Sequence, residues 1–194
     1  MVNYLAAMEK EGGAVETDIS RVIHEHAPAE FAKQLNINAA EELEHGALFE
    51  KCLRAMGAIP TPVGPGFHLP LERIQNYYNV PLYFHHLSIS YLAERIAHES
   101  LRDWYEVAPS GCVKETLGRI LPQEEECHIA TLRSMVWSFK NTYDIPKILK
   151  KYEMAIYRTS LHMFFVVNQA LAYEVKTPFF IMLGFVSRVC AKFI

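Results

Sequence analysis

The sequence lacks several features that define large classes of proteins. It has no uncharged apolar run of about eighteen residues, so we expect no membrane span. It has no basic block and a net charge of only −3, which argues against a nucleic-acid partner. Acidic residues come too early for a secretory signal peptide, and the four cysteines include no Cys-x-x-Cys pair. We therefore expect a cytoplasmic protein with reduced thiols.

What the chain does contain is typical of one globular domain, spanning residues 1–194. Hydrophobic residues make up 51% and charged residues 21%, which is enough apolar side chain for a sizeable core. Alternating patterns of β-branched residues are absent, whereas apolar residues recur at helical spacing. The sequence therefore predicts an all-α fold.

Prolines and glycines divide the chain into five long predicted helices. These cover residues 2–27, 29–57, 81–107, 113–140 and 145–175, with a short helical stretch at 71–78. Short turns join the first two helices and the next two, so each pair should form an antiparallel hairpin. The link from 58 to 81 is long enough to cross the length of a bundle.

Two Glu-x-x-His motifs place a carboxylate and an imidazole one helical turn apart. Glu42 and His45 form the first, and Glu125 and His128 form the second. Each pair shares its helix face with large apolar side chains, so each motif should point into the core. Buried charges are found paired or bound to metal. We interpret the motifs as metal ligands; the simpler alternative is neutralisation of each glutamate by a buried basic group.

The other two helices of the hairpins supply glutamates at matching heights. Glu11 precedes Glu42 by 31 residues, and Glu94 precedes Glu125 by 31 residues. Because a helix rises ~1.5 Å per residue on both sides of each short turn, these positions should reach the same level of the bundle. The predicted metal ligands are Glu11, Glu42, His45, Glu94, Glu125 and His128.

Glu16 and Glu99 form a rival pair, because they too keep equal spacings within the two hairpins. They lie about 140° around their helices from Glu11 and Glu94, and about one turn nearer the loops. We expect both to be solvated and rank them second. Whether Glu11 or Glu16 is the ligand from the first helix stays open at this point.

Four carboxylates and two histidines on four helices resemble the ligand set of the ferritin-like di-iron carboxylate proteins. The resemblance covers about residues 4–140. It implies a four-helix bundle of two antiparallel hairpins joined by a long crossover, with additional helices at 145–194. It further implies that Glu42 and Glu125 bridge two metals and form the catalytic pair. Two iron ions are implied as the cofactor, with an iron–manganese pair as the alternative.

The function implied by this resemblance is an oxidase or oxygenase. It would activate dioxygen to oxidise a small organic substrate and would draw on an external electron donor. The alternatives are a ferroxidase or peroxide-scavenging protein of the ferritin or rubrerythrin type, and a non-enzymatic helical interaction protein. The apolar C-terminal segment is expected to pack as a terminal helix or a homodimer contact, with a membrane surface as the other option.

A second family shares part of the pattern. The haem-oxygenase-like di-iron oxidases are also all-α, with histidine and carboxylate ligands on core helices. Their pattern has a glutamate where this chain has Asn38 and a histidine where it has Leu121. These two differences make that family the runner-up.

Overall fold

A computed structural model describes residues 2–60, 74–108 and 110–158, and all regular elements in these ranges are helical. The all-α prediction is confirmed for this part of the chain. The elements are α1 (Val2–Ile23), α2 (Ala29–Ala55), α3 (Leu82–Val107), α4 (Cys112–Gln123), a π-helical turn (Glu124–Ile129), α5 (Ala130–Ser138) and α6 (145–158). None of these helices is long and apolar enough to span a membrane.

The predicted helix ends agree with the structure to within a few residues. Pro28 and Pro81 immediately precede α2 and α3, each with a φ of −52°, which suits the start of a helix. The π-helical turn joins α4 to α5 without a break, as the predicted helix 113–140 requires. The predicted crossover centre at 61–73 and everything predicted after 158 lie outside the described residues.

The short helix predicted at 71–78 is wrong in its described part. Residues 74–80 form a turn rather than a helix. The side chain of Asn76 closes this turn: its Oδ1 accepts from the Val80 N–H at 3.0 Å, and its Nδ2 donates to the Val80 carbonyl at 2.6 Å. Asparagine side chains commonly replace backbone bonds in this way and so compete with helix formation.

Glycines bring α1 and α2 unusually close. A Cβ at Gly13 would lie 2.7 Å from the carbonyl oxygen of Ala39, and one at Gly46 would lie 3.0 Å from that of Ala6. Any larger side chain would push the helices apart. α1 passes through Gly12 and Gly13 without a break.

Four helical rods pack together: α1, α2, α3 and the continuous rod α4–π-turn–α5. The first rod contacts α2 and α3. The fourth rod contacts α3, and its α4 part also contacts α2. The core falls into two apolar clusters at opposite ends of the rods. One end is filled by residues such as Ile23, Leu35, Phe84 and Leu132, and the other by Leu5, Phe49, Leu117 and Ile120. Between these clusters the facing positions are polar, and this polar layer holds the candidate site.

A disulfide ties two of the rods together at one end. Cys52, near the end of α2, pairs with Cys112, the first residue of α4. The prediction that all four cysteines are reduced is wrong for this pair. The two Cα atoms lie 5.6 Å apart, a separation that suits a disulfide, and sequence spacing gave no sign of that proximity. Cys127 is a free thiol, and Cys190 lies outside the described residues.

Candidate metal centre

The polar layer contains two overlapping groups of metal-ligand side chains. Within each group the ligand atoms lie within 4.8 Å of one another. Glu42 and Glu124 belong to both groups, so these two carboxylates lie between two neighbouring positions for an ion. The first group is Glu9, Glu42, His45 and Glu124; the second is Glu42, Glu94, Glu124 and His128.

The inward-facing donor atoms are close together, yet they do not hydrogen-bond to one another. His45 Nδ1 lies 2.9 Å from Glu124 Oε1, and His128 Nδ1 lies 2.7 Å from Glu42 Oε1. These are ion-pair distances between an imidazole and a carboxylate, but the directions do not fit a hydrogen bond, so all four buried atoms lack a hydrogen-bond partner. Buried polar atoms in native proteins are nearly always paired. Donors that converge without bonding to one another suit a shared cation.

The outer nitrogens of both histidines, in contrast, have partners. His45 Nε2 lies 3.1 Å from Gln123 Oε1, and His128 Nε2 lies 2.9 Å from Glu41 Oε2. A proton on Nε2 is donated to these oxygens, so a cation that displaced the proton from Nδ1 would meet the Nδ1 lone pair. Such outer bonds fix the tautomer and orientation of metal-binding histidines. The rings are nearly parallel, with centroids 5.7 Å apart.

Burial and mutual repulsion make the cluster hold protons when no cation is bound. Burial, followed by the charges of Glu94, Glu124 and Glu9, raises the pKa of Glu42 well above its usual value. Burial and neighbouring carboxylates also raise the pKa of Glu94. Burial by itself would lower the pKa of His45, but the adjacent carboxylates of Glu124 and Glu9 outweigh it and raise that pKa to about 10. A cation would relieve the same repulsion.

Four of the six predicted ligands meet in the cluster: Glu42, His45, Glu94 and His128. The prediction of Glu125 is wrong, because Glu125 is exposed, and Glu124 takes the position between the two groups. The π-helical turn causes this shift. Its hydrogen bonds span five residues rather than four, so His128 lines up with the residue four before it rather than three. Glu124 Oε2 accordingly lies 3.4 Å from His128 Nδ1.

Glu11 is likewise replaced by a neighbour, since Glu9 is the member of the cluster that α1 supplies. Glu11 is only partly buried and lines the cavity beside the cluster. The close packing of α1 on α2 turns the Glu9 face of α1 inward. A signal was present: Glu9 continues the apolar stripe of Leu5 and Ala6, just as Glu124 follows Leu117 and Ile120 at helical spacing.

The two members of the rival pair, Glu16 and Glu99, differ in burial. Glu99 is exposed, as expected, but Glu16 is 1% exposed, so the expectation that it is solvated is wrong. Glu16 lies two turns after Glu9 on the same face and belongs to neither ligand group. Burial raises the pKa of Glu16 to about 8; the Asn38 amide opposes this rise, and the charges of Glu124 and Glu41 add to it.

The chemistry of the donors suits two hard or borderline ions. Each group offers three carboxylates and one imidazole, a set that favours iron or manganese over soft metals. Comparison of the chain with protein-family models, with curated proteins and with solved structures gave no match. The interpretation therefore depends on the site itself: two adjoining ligand groups, joined by Glu42 and Glu124, in the polar layer of a helical bundle.

Proposed function

We propose that this chain is a non-haem di-metal oxidase or oxygenase with a ferritin-like four-helix bundle. Two iron ions, or one iron and one manganese, would be held by Glu9, Glu42, His45, Glu94, Glu124 and His128. The observation that carries the proposal is the pair of ligand groups that share Glu42 and Glu124 and keep their inward donor atoms unpaired. When bound, two adjacent ions supply electrons to dioxygen that one ion alone does not readily give.

The protein's own residues have distinct roles in this proposal. Glu42 and Glu124 belong to both ligand groups and would offer a carboxylate to each ion, whereas Glu9 and Glu94 would each offer one to a single ion. Gln123 and Glu41 hold the two imidazoles with Nδ1 inward. Apolar clusters lie on either side of the layer, and a surrounding of low polarity strengthens the electrostatic interactions inside it.

A small organic substrate is favoured by the surroundings of the cluster. A cavity of about 150 Å³ reaches Glu42, Glu94 and Glu124; apolar or small side chains form about half of its lining, and glutamates form the rest. The apolar part would place an organic molecule next to the metal ligands. The glutamates would also suit the passage of iron ions, so we retain ferroxidase or peroxide-scavenging activity as the alternative.

The proposal can be tested by anaerobic titration with ferrous iron, followed by exposure to oxygen. We expect two irons per chain and oxygen consumption that depends on them. Continued uptake of many irons per chain would favour storage, and no binding would favour a non-enzymatic helical protein.

A matched pair of neighbouring variants sharpens this test. Glu124→Ala should lose metal and oxygen consumption, whereas Glu125→Ala should keep both, because Glu125 is exposed and outside the cluster. The reverse pattern would contradict the site as described.

A further inference from the structure

The cavity beside the cluster lies between α1 and α3 and has two chemically different parts. Glutamates form one part, which includes Glu11 and Glu16 besides those of the cluster, and the other is walled by Met8, Val15, Ala93, Ala97 and Leu101. Its volume of about 150 Å³ is well below the 300–1,000 Å³ typical of pockets for drug-sized ligands. A space of that volume accommodates a molecule with about six non-hydrogen atoms.

Glu16 also lines this cavity, although it belongs to neither ligand group. Its side chain is almost wholly buried, and neither carboxylate oxygen has a hydrogen-bond partner. The nearby Asn38 amide affects its pKa, but its Nδ2 is likewise without a partner of good geometry. A buried polar group that lacks a partner is costly, so a molecule that supplied a donor to Glu16 would gain affinity.

We propose that Glu16 is the polar anchor of a substrate cavity that accepts a small organic molecule with an N–H or O–H donor. A primary amine or alcohol with about six non-hydrogen atoms fits both the volume and the chemistry. Its donor would bind the carboxyl group of Glu16, and its carbon chain would lie along Val15, Ala93 and Ala97. A molecule of the same size without an N–H or O–H donor would leave the Glu16 oxygens without a partner and should bind more weakly. This inference rests on the proposed function, because the same cavity reaches the metal ligands.

Binding can be measured by calorimetry on the full-length protein loaded with Mn²⁺ under anaerobic conditions, so that no turnover occurs. The probes are 1-pentanol, pentylamine and butyl methyl ether, which has the size of pentanol but no N–H or O–H donor. We expect the first two to bind and the ether to bind at least about tenfold more weakly. Absence of binding by both pentanol and pentylamine, or binding of the ether at equal affinity, would overturn the inference.

Variants of Glu16 separate the anchor from the cavity wall. Glu16→Leu should weaken both pentanol and pentylamine at least about tenfold, because it removes the acceptor. Glu16→Gln keeps a carbonyl acceptor, so it should retain pentanol and weaken pentylamine. Ala97→Leu should weaken both probes by filling the cavity, while the exposed control Glu99→Gln should change nothing. Unchanged affinities in Glu16→Leu would show that Glu16 is not the anchor.

Metal content, measured on the same samples, keeps the two proposals distinguishable. Wild type and Glu16→Leu should both retain two ions per chain, because Glu16 is in neither ligand group. If wild type binds two ions but no probe, only the substrate inference fails. If wild type binds no ions, the proposed function itself fails. Loss of metal in Glu16→Leu alone would make Glu16 a ligand and contradict its role as an anchor.

Discussion

Two buried polar regions of the molecule contain histidines whose surroundings have opposite effects on the pKa. At one end of the bundle, His85 Nδ1 lies 3.0 Å from the Tyr152 hydroxyl, which in turn donates to Asn76 Oδ1 at 3.3 Å. Burial lowers the pKa of this histidine. The charge of His86 lowers it further, and a hydrogen bond with the backbone of Ile74 opposes the change. The network contains no carboxylate. None of its buried polar side-chain atoms lacks a hydrogen-bond partner.

The metal-ligand cluster has the opposite properties. His45 and His128 are also buried, but carboxylates surround them, and their inward nitrogens lack a hydrogen-bond partner. At His45 the neighbouring carboxylates raise the pKa, whereas at His85 burial lowers it. The comparison teaches that burial of a histidine does not by itself indicate a site; unpaired donors that converge with carboxylates do.

The largest expected effect comes from breaking the cluster at a residue that both groups share. Glu42→Ala should reduce metal binding from two ions per chain to none or one. The metal-free variant should unfold at a higher temperature than metal-free wild type, because one buried, repelled carboxylate is gone. Elemental analysis and thermal melts check both results. Full metal occupancy in Glu42→Ala would count against the site.

Metal binding should stabilise the native state against unfolding, because only the folded chain brings the ligands of the cluster together. At a free concentration ~100-fold above Kd, binding to the native state adds ~2.7 kcal/mol. For a chain of this size that raises Tm by roughly 5–10 °C. The gain should be larger at pH 8 than at pH 6, because ions must displace protons from the ligands. Identical melting curves with and without iron at both pH values would contradict a buried site.

Breaking the other region should damage stability without touching metal binding. Tyr152→Phe removes the hydroxyl that pairs with His85 and leaves a buried ring nitrogen unsatisfied. We expect a loss of about 1–3 kcal/mol in the free energy of unfolding, measured in denaturant. The variant should still bind two irons per chain. A drop in metal content here would mean that the two regions are coupled.

The smallest expected effect concerns the pH dependence of Glu16. Its folded-state pKa of about 8 exceeds the ordinary value of 4.5, so the native state binds this proton more tightly than the unfolded state. The resulting stabilisation is complete below about pH 4.5 and is lost as the pH rises through about 8. Glu16→Gln should remove that part of the slope in metal-free protein, so the variant should gain stability relative to wild type as the pH rises through about 8. Equal slopes in urea titrations of both proteins would show that Glu16 is not held protonated.

Much of the architecture could be predicted from local sequence. Proline positions and apolar spacing located the four rods to within a few residues, and the Glu-x-x-His pattern in α2 identified Glu42 and His45. Glu94 and His128 also fall in the cluster, because their helix faces follow from periodicity. These features depend on residues within a few turns of one another, and so the sequence alone determines them.

The remaining ligands depended on contacts between helices. Glu124 rather than Glu125 joins the cluster because of the π-helical turn. The wider turn rotates the side chains that precede it about the helix axis, and this brings Glu124 onto the same face as His128. The close approach of α1 to α2 at Gly13 selects Glu9 over Glu11. The Cys52–Cys112 disulfide likewise joins residues 60 positions apart. Helical periodicity fixes which residues share a face, but only the packed structure decides which face turns inward and at what height.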